Sequence, residues 1–300
     1  MVGSQTIVVL AGTLLLGMAA GLVGTFAVLR RRALMGDVVA HAALPGLCVA
    51  FLAFHSRSVG VLLAGALVSG LLGAIVVALL RRLTPLRDDA VQGIVLSVFY
   101  GGGIALTRSI QKLYPNEPGS DLESFIVGRA ATMLRSDVYL IAGAVVVVLV
   151  AVIAFYKELK LLSFDEEFCQ VQGWSAVSLD LMLMVLTAVT VVVGLPAVGV
   201  VLTAALLIIP AVAARSWTDR LSRMLMIAAV FGGMSGAAGT LISAQFSGLP
   251  TGPVIVLTAA ALFLVSWLFA PHRGILLNRR RATELIIELP EQQAGAVQQP

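Results

Sequence analysis

Residues Ile7–Leu29 read IVVLAGTLLLGMAAGLVGTFAVL, and Arg30-Arg31-Arg32 follow directly. The run carries no charge, and as a helix rising ~1.5 Å per residue it is long enough to cross ~30 Å of hydrocarbon. Three arginines at its end predict a membrane-crossing helix whose basic end lies on the inner side. No basic segment precedes the run and no small-residue cleavage pattern follows it. It therefore reads as a retained helix rather than a cleaved signal peptide.

The rest of the chain repeats this pattern. Further apolar runs occupy about 60–80, 137–156, 196–214, 223–246 and 252–270, with shorter or interrupted ones near 38–54, 90–107 and 176–193. The 300 residues are 59% hydrophobic and 12% charged, with mean hydropathy +1.00. That leaves too little polar surface to enclose a soluble core. The continuous runs also lack the alternation of a spanning barrel. The expected fold is all-α: a polytopic bundle of about nine transmembrane helices (eight to ten), residues 1–275. Residues 276–300, which close with Glu291-Gln292-Gln293-Ala294-Gly295-Ala296-Val297-Gln298-Gln299-Pro300, read as a cytoplasmic tail that is disordered at its end.

Basic residues give the orientation. With the N-terminus outside and nine spans, the inner turns hold Arg30–Arg32, Arg81, Arg82, Arg87, Lys157, Lys160, Arg215, Arg220, Arg223, Arg273 and Arg279–Arg281. Only Arg57, Arg108, Lys112, Arg129 and Arg135 fall outside, which favours N-out and C-in. The net charge of +4 then reflects topology rather than nucleic-acid binding. Cys48 and Cys169 fall in different layers, so no disulfide is expected. The chain has no G-x-x-x-x-G-K-[ST] phosphate loop, no H-E-x-x-H and no G-x-S-x-G, so ATP binding by that route, metalloprotease and lipase chemistry have no support. Gly101-Gly102-Gly103 suits close helix packing or a kink.

Just past the arginines stands Gly36-Asp37-Val38-Val39-Ala40-His41-Ala42-Ala43-Leu44-Pro45-Gly46. Residues i and i+4 share a helix face, so Asp37 and His41 could grip one cation. The residues by themselves leave three roles open: a helix cap at Gly36-Asp37 with His41 satisfied by a neighbouring helix, a proton relay, or a cation site. Carboxylate plus imidazole suits Mn²⁺, Fe²⁺ or Zn²⁺. Two ligands make an incomplete site, which a dimer could double. Pro45-Gly46 suggests a break or bend lining a permeation path, or an ordinary kink. Cys48 projects near the same face as a further ligand, or is simply a small packing residue. Asp180 reads as an interfacial residue.

A second informative stretch runs from Tyr156 to Trp174, between two spans on the expected inner side. Ser163 reads as an N-cap, Asp165, Glu166 and Glu167 as a first turn, and Gly173 as the stop. Phe164, Phe168 and Val171 at i, i+4 and i+7 make one apolar face. The segment either lies on lipid headgroups or docks into another subunit. Its acidic start and short length favour docking.

The run Arg32-Ala33-Leu34-Met35-Gly36-Asp37 … His41-Ala42 … Leu44-Pro45-Gly46 resembles the signature of ABC-3 type permeases, the membrane subunits of bacterial manganese, zinc or iron importers. Lys157–Gly173, Ala197–Arg215 and Gly252–Pro271 are also similar to that family, and the resemblance spans about residues 7–275. It implies a non-enzymatic transport subunit in the bacterial cytoplasmic membrane, paired with a second copy or a paralogue. ATP would be hydrolysed on two cytoplasmic partner subunits, and an extracytoplasmic solute-binding protein would deliver the metal near the 55–59, 108–136 and 247–251 loops. Asp37 and His41 match the metal-coordinating positions, and the segment 163–173, including Ser163, Phe164, Asp165, Glu166, Phe168 and Gly173, matches the coupling helix. Cys48 and Phe125–Ala130 depart from the family pattern. The competing expectation is a stand-alone proton-coupled transporter with Asp37 and His41 as its relay.

Overall fold

A computed structural model of the chain describes residues 4–55, 58–114, 128, 133–246, 249–272 and 274. Phe125–Val127, Arg129 and Ala130, and the tail 276–300, lie outside the described residues. Lipid offers no hydrogen bonds, so each crossing segment must satisfy its backbone internally, and helices do so. The described residues form α1 (Ser4–Leu29), α2 (Met35–Phe54), α3 (Val59–Leu83), α4 (Asp88–Leu113), α5 (Arg135–Ala154), α6 (Tyr156–Phe164), α7 (Glu166–Val171), α8 (Ala176–Val198), α9 (Val200–Trp217), α10 (Leu221–Gln245) and α11 (Thr251–Phe269). Eight of these are long and apolar enough to span a bilayer, and α9 contributes the shorter apolar helix Leu202–Trp217. The expected bundle of about nine helices is therefore present.

One boundary differs from expectation. The run 196–214 reads as one span, yet residues 196–198 belong to α8, whose Pro196 sits inside its last turn. The chain turns instead at Gly199, where φ is +84°. Only glycine adopts that conformation without a Cβ clash, so the turn falls at the glycine and not at the proline.

Apolar side chains gain nothing from leaving lipid for one another, so close backbone approach through small residues holds such bundles together. The α1/α10 contact illustrates this. A Cβ on Gly17 would lie 2.1 Å from the carbonyl oxygen of Gly232, and one on Gly232 would lie 2.0 Å from that of Gly17. Thr13 Oγ1 lies 2.9 Å from Thr240 Oγ1 and donates to the Gly236 carbonyl at 3.2 Å. Between α2 and α3, Gly46 faces Gly65, and Ser69 donates to the Ala42 carbonyl at 2.6 Å. Gly103 of α4 packs on Leu44 and Pro45, whereas Gly101 and Gly102 face open space. Gly232→Val should force α1 and α10 apart and cost about 3 kcal/mol. Thermal unfolding in detergent should show a lower midpoint, while Gly101→Val, with nothing near its Cβ, should leave it unchanged.

One end of the bundle gathers the basic turns. Arg30, after α1, donates to the Leu162 carbonyl of α6 at 2.8 Å, and Arg81 of α3 pairs with Asp88 of α4 at 2.9 Å. Leu29 packs against Ala214 of α9 and Met224 of α10. Alternating helices thus bring these turns to a single face of the bundle, as the charge pattern requires.

Candidate functional site

As far as Phe51, helix α2 is buried on most of its circumference, and the residues that escape form one stripe: Asp37, His41, Pro45 and Val49. Asp37 and His41 retain 32% and 15% of their side-chain exposure. No side chain caps the helix, which begins at Met35 with Leu34 before it. Asp37 therefore lies within the first turn rather than at the cap, and its carboxylate is free for other work. His41 Nδ1 lies 2.9 Å from the Asp37 carbonyl oxygen and 3.1 Å from its Oδ1. With Nδ1–H donating to these oxygens, Nε2 keeps its lone pair for a ligand. The 3.1 Å contact is thus the hydrogen bond that sets the imidazole's tautomer, leaving His41 Nε2 and the second Asp37 oxygen as the candidate donors. The Tyr100 ring of α4 meets the His41 imidazole edge-on, with centroids 4.8 Å apart and planes at 82°. That contact restricts the ring's orientation.

Helix α2 runs unbroken through Pro45 and Gly46, so the expected break at those residues is absent. Gly46 packs directly on the Gly65 backbone at this point. Proline nonetheless supplies no N–H, so the His41 carbonyl loses its i+4 donor and is left as an oxygen beside the pair. Cys48 is buried and turned toward α4, its Sγ 3.3 Å from Thr107 Oγ1. It does not join Asp37 and His41. Among the described residues no cluster of three or more His, Cys, Asp or Glu forms around the pair.

The segment 156–174 is two helices rather than one. Asp165, in extended conformation, separates them, and its Oδ1 accepts from Phe168 N at 2.8 Å. Asp165 is thus the cap assigned above to Ser163, whose hydroxyl instead donates back to the Leu159 carbonyl at 2.7 Å inside α6. A carboxylate is fixed one turn from an open amide here, while the serine's nearest open acceptor lies behind it. Gly173, with φ +87°, ends the segment as its residue type suggests. Glu166 opens α7 and Glu167 follows in its first turn. Phe164, Phe168 and Val171 stay 61%, 46% and 82% exposed among the described residues. The break at Asp165 puts Phe164 on α6 and only Phe168 and Val171 on α7, so the single helical face expected of the three is not formed. The opposite side is anchored by Cys169, packed with Leu162, Ala176 and Leu179. Burial first, and the Glu166 charge second, push the Cys169 thiol above its ordinary pKa. Maleimide should therefore leave Cys169 unlabelled at neutral pH in the folded protein and react on denaturation, as a mass shift would report.

Residues that the sequence pattern did not bring together meet behind this segment. Arg30 contacts Glu166 at 2.9 Å and Asp180 of α8 at 3.4 Å, and Arg32 also bonds to Asp180. The junction ties α7 to the turn that leads, within a few residues, to Asp37. Asp180 is the lone charge in its apolar run, which was the available signal. Tyr100 carried none.

The chain matches the model of the ABC 3 transport family over residues 4–270. The chain belongs to the ABC 3 transport family. It is a multi-pass membrane protein of that family. It is 49% identical over 282 residues to the zinc transport system membrane protein TroC of Treponema pallidum, covering 93% of this chain and 94% of the relative. It is 47% identical over 267 residues to the manganese transport system membrane protein MntC of Bacillus subtilis, covering 89% of this chain and 61% of that longer protein. Its fold is similar to a chain of PsaBC from Streptococcus pneumoniae in complex with Fab. The TM-score is 0.80 at 30% identity, over 92% of this chain and 96% of that one.

Proposed function

We propose that this ABC 3 family chain is the permease subunit of an importer for a divalent transition metal, Mn²⁺, Zn²⁺ or Fe²⁺. Asp37 and His41 would hold the ion in transit. The observation that carries this reading is the partly exposed Asp37/His41 pair on the otherwise buried first half of α2. The two side chains stand hydrogen-bonded one turn apart, with a freed backbone carbonyl beside them. The names of the relatives, for zinc and for manganese, support the substrate class.

The chemistry follows from the surroundings. A divalent ion entering a low-dielectric bundle loses its hydration, and a carboxylate offsets part of that loss. His41 adds a neutral nitrogen donor that favours transition metals over Ca²⁺ or Mg²⁺. A second permease copy, or a paralogue, would bring another such pair, and water or the His41 carbonyl could fill the shell. Weak, incomplete coordination suits a transit site, because the ion must also leave.

ATP is hydrolysed on two cytoplasmic partner subunits, one docking on α6–α7 of this chain and one on its permease partner. The exposed Phe164, Phe168 and Val171 side chains support that role. The basic end of the bundle is the inner one, giving N-out and C-in, and a solute-binding protein delivers metal at the other end. Alternating access then passes from α7 through Arg30, Arg32 and Asp180 to α2. Vesicles containing the chain with its ATPase and binding protein test the energy source. Uptake should stop without ATP and continue after an ionophore collapses the proton gradient. Uptake that follows the proton gradient and ignores ATP would replace this reading with the proton-coupled one.

A further inference from the structure

At the basic end of the bundle, α1, α3 and α8 enclose a cavity of about 330 Å³. Its polar floor is Arg30, Arg32, Arg81 and Arg82, with Glu166 and Asp180. Asp180 takes up Arg30 and Arg32, Glu166 contacts Arg30, and Asp88 contacts Arg81 at 2.9 Å. Three carboxylates against four guanidinium groups leave the site net positive. Arg82 has no carboxylate partner among the described residues. The Nε atoms of Arg30 and Arg81 are buried without an acceptor. Buried guanidinium donors are normally satisfied, so these two call for an acceptor from outside the chain. The cavity walls include Ile75 and Leu79 of α3 and Val177 and Leu181 of α8, all exposed apolar side chains. Donors at the helix ends with an apolar groove leading away match an amphiphile that carries a phosphate.

We propose that this cavity binds a phosphate-bearing anion, the headgroup of an anionic phospholipid, with its acyl chains lying along α3 and α8. Guanidinium forks pair with phosphate oxygens in two-point fashion, which an ammonium headgroup cannot replace. Basic pockets between spanning helices near the inner membrane surface have the right sign and depth for such lipids. The site shares Arg30, Arg32, Glu166 and Asp180 with the junction described above but includes neither Asp37 nor His41, and lipid retention is read without any transport step.

Native mass spectrometry of the full chain in detergent, with equal phosphatidylglycerol and phosphatidylcholine, tests the proposal. The wild type should retain phosphatidylglycerol preferentially. Arg81→Gln/Arg82→Gln should lower that retention by roughly fivefold for each arginine removed. Arg108→Gln/Lys112→Gln, at the opposite end, should match the wild type. If the double variant fails to fold, Arg82→Gln alone, at an exposed position, should still show the single-step loss. Millimolar inorganic phosphate separates the sources: retention that resists it identifies the lipid, and displacement by it identifies free phosphate as the anion. Equal phosphatidylglycerol retention in the wild type and the glutamine variants, unaffected by phosphate, would overturn the proposal.

Discussion

Asp37→Ala should lower ATP-dependent metal uptake by about 100-fold or more, with the chain still folded and still bound to its ATPase. Groups that merely support a ligand change metal affinity or activity by ~10–100-fold, so a directly coordinating carboxylate sets that as the lower bound. Stability should barely respond. Asp37 is partly exposed in the first turn of α2, where a carboxylate contributes only about 0.3–1 kcal/mol through the helix dipole. Asp37→Asn, equal in shape but without charge, should fall close to Asp37→Ala, because the ion needs the charge. His41→Ala should cause a loss of the same order. The double variant should be little worse than either single one, since both side chains act on one ion. Radiolabelled metal uptake, normalised to assembled complex, checks all four. Full uptake by Asp37→Ala would remove the residue from the path.

Asp180→Ala should have the second largest effect, and of a different kind. It leaves Arg30 and Arg32, with side chains 11% and 18% exposed, without their shared carboxylate. Breaking a largely buried pair from one side costs about 3 kcal/mol. The chain should therefore unfold at lower temperature in detergent. Transport should fall further than stability alone explains, because the junction links α7 to the turn preceding Asp37. The number of metal ions moved per ATP hydrolysed isolates that part. It should drop in Asp180→Ala and in Arg30→Gln, while ATP hydrolysis by the complex persists. An unchanged ratio in correctly assembled complexes would reduce the junction to a structural support.

The fold was largely legible because membrane-spanning helices are written in composition. Runs such as Ile7–Leu29 allow few alternatives in lipid, and glycines such as Gly17 and Gly232 declare close packing. Boundaries were less legible where two breakers compete. Pro196 and Gly199 both interrupt the pattern, but proline is tolerated in the last turn of α8, while a positive φ requires the glycine. In α2 neither breaker acts: Pro45 costs one hydrogen bond, and Gly46 has no positive φ, so the helix runs on.

The site was legible at two positions and illegible around them. Asp37 and His41 stand four residues apart, so local geometry alone brings them together. Asp180 and Arg32 lie far apart in the chain, and their meeting depends on how α1 and α8 are placed side by side. Tyr100 reaches His41 from α4 for the same reason, and Cys48 turns away because α4 covers that side of α2. Ser163 and Asp165 were both competent caps. The choice fell to the residue whose carboxylate sits within reach of the Phe168 amide.

The most direct test of the central claim is X-ray absorption at the metal edge, on the assembled transporter loaded with Zn²⁺ or Mn²⁺. The account predicts a shell of oxygen and nitrogen near 2.0–2.2 Å with imidazole scattering. That scattering should disappear in His41→Ala, and the bound metal should fall sharply in Asp37→Ala. Metal bound at full occupancy with the same imidazole signature in both variants would contradict it, and would move the transit site to other residues of the path.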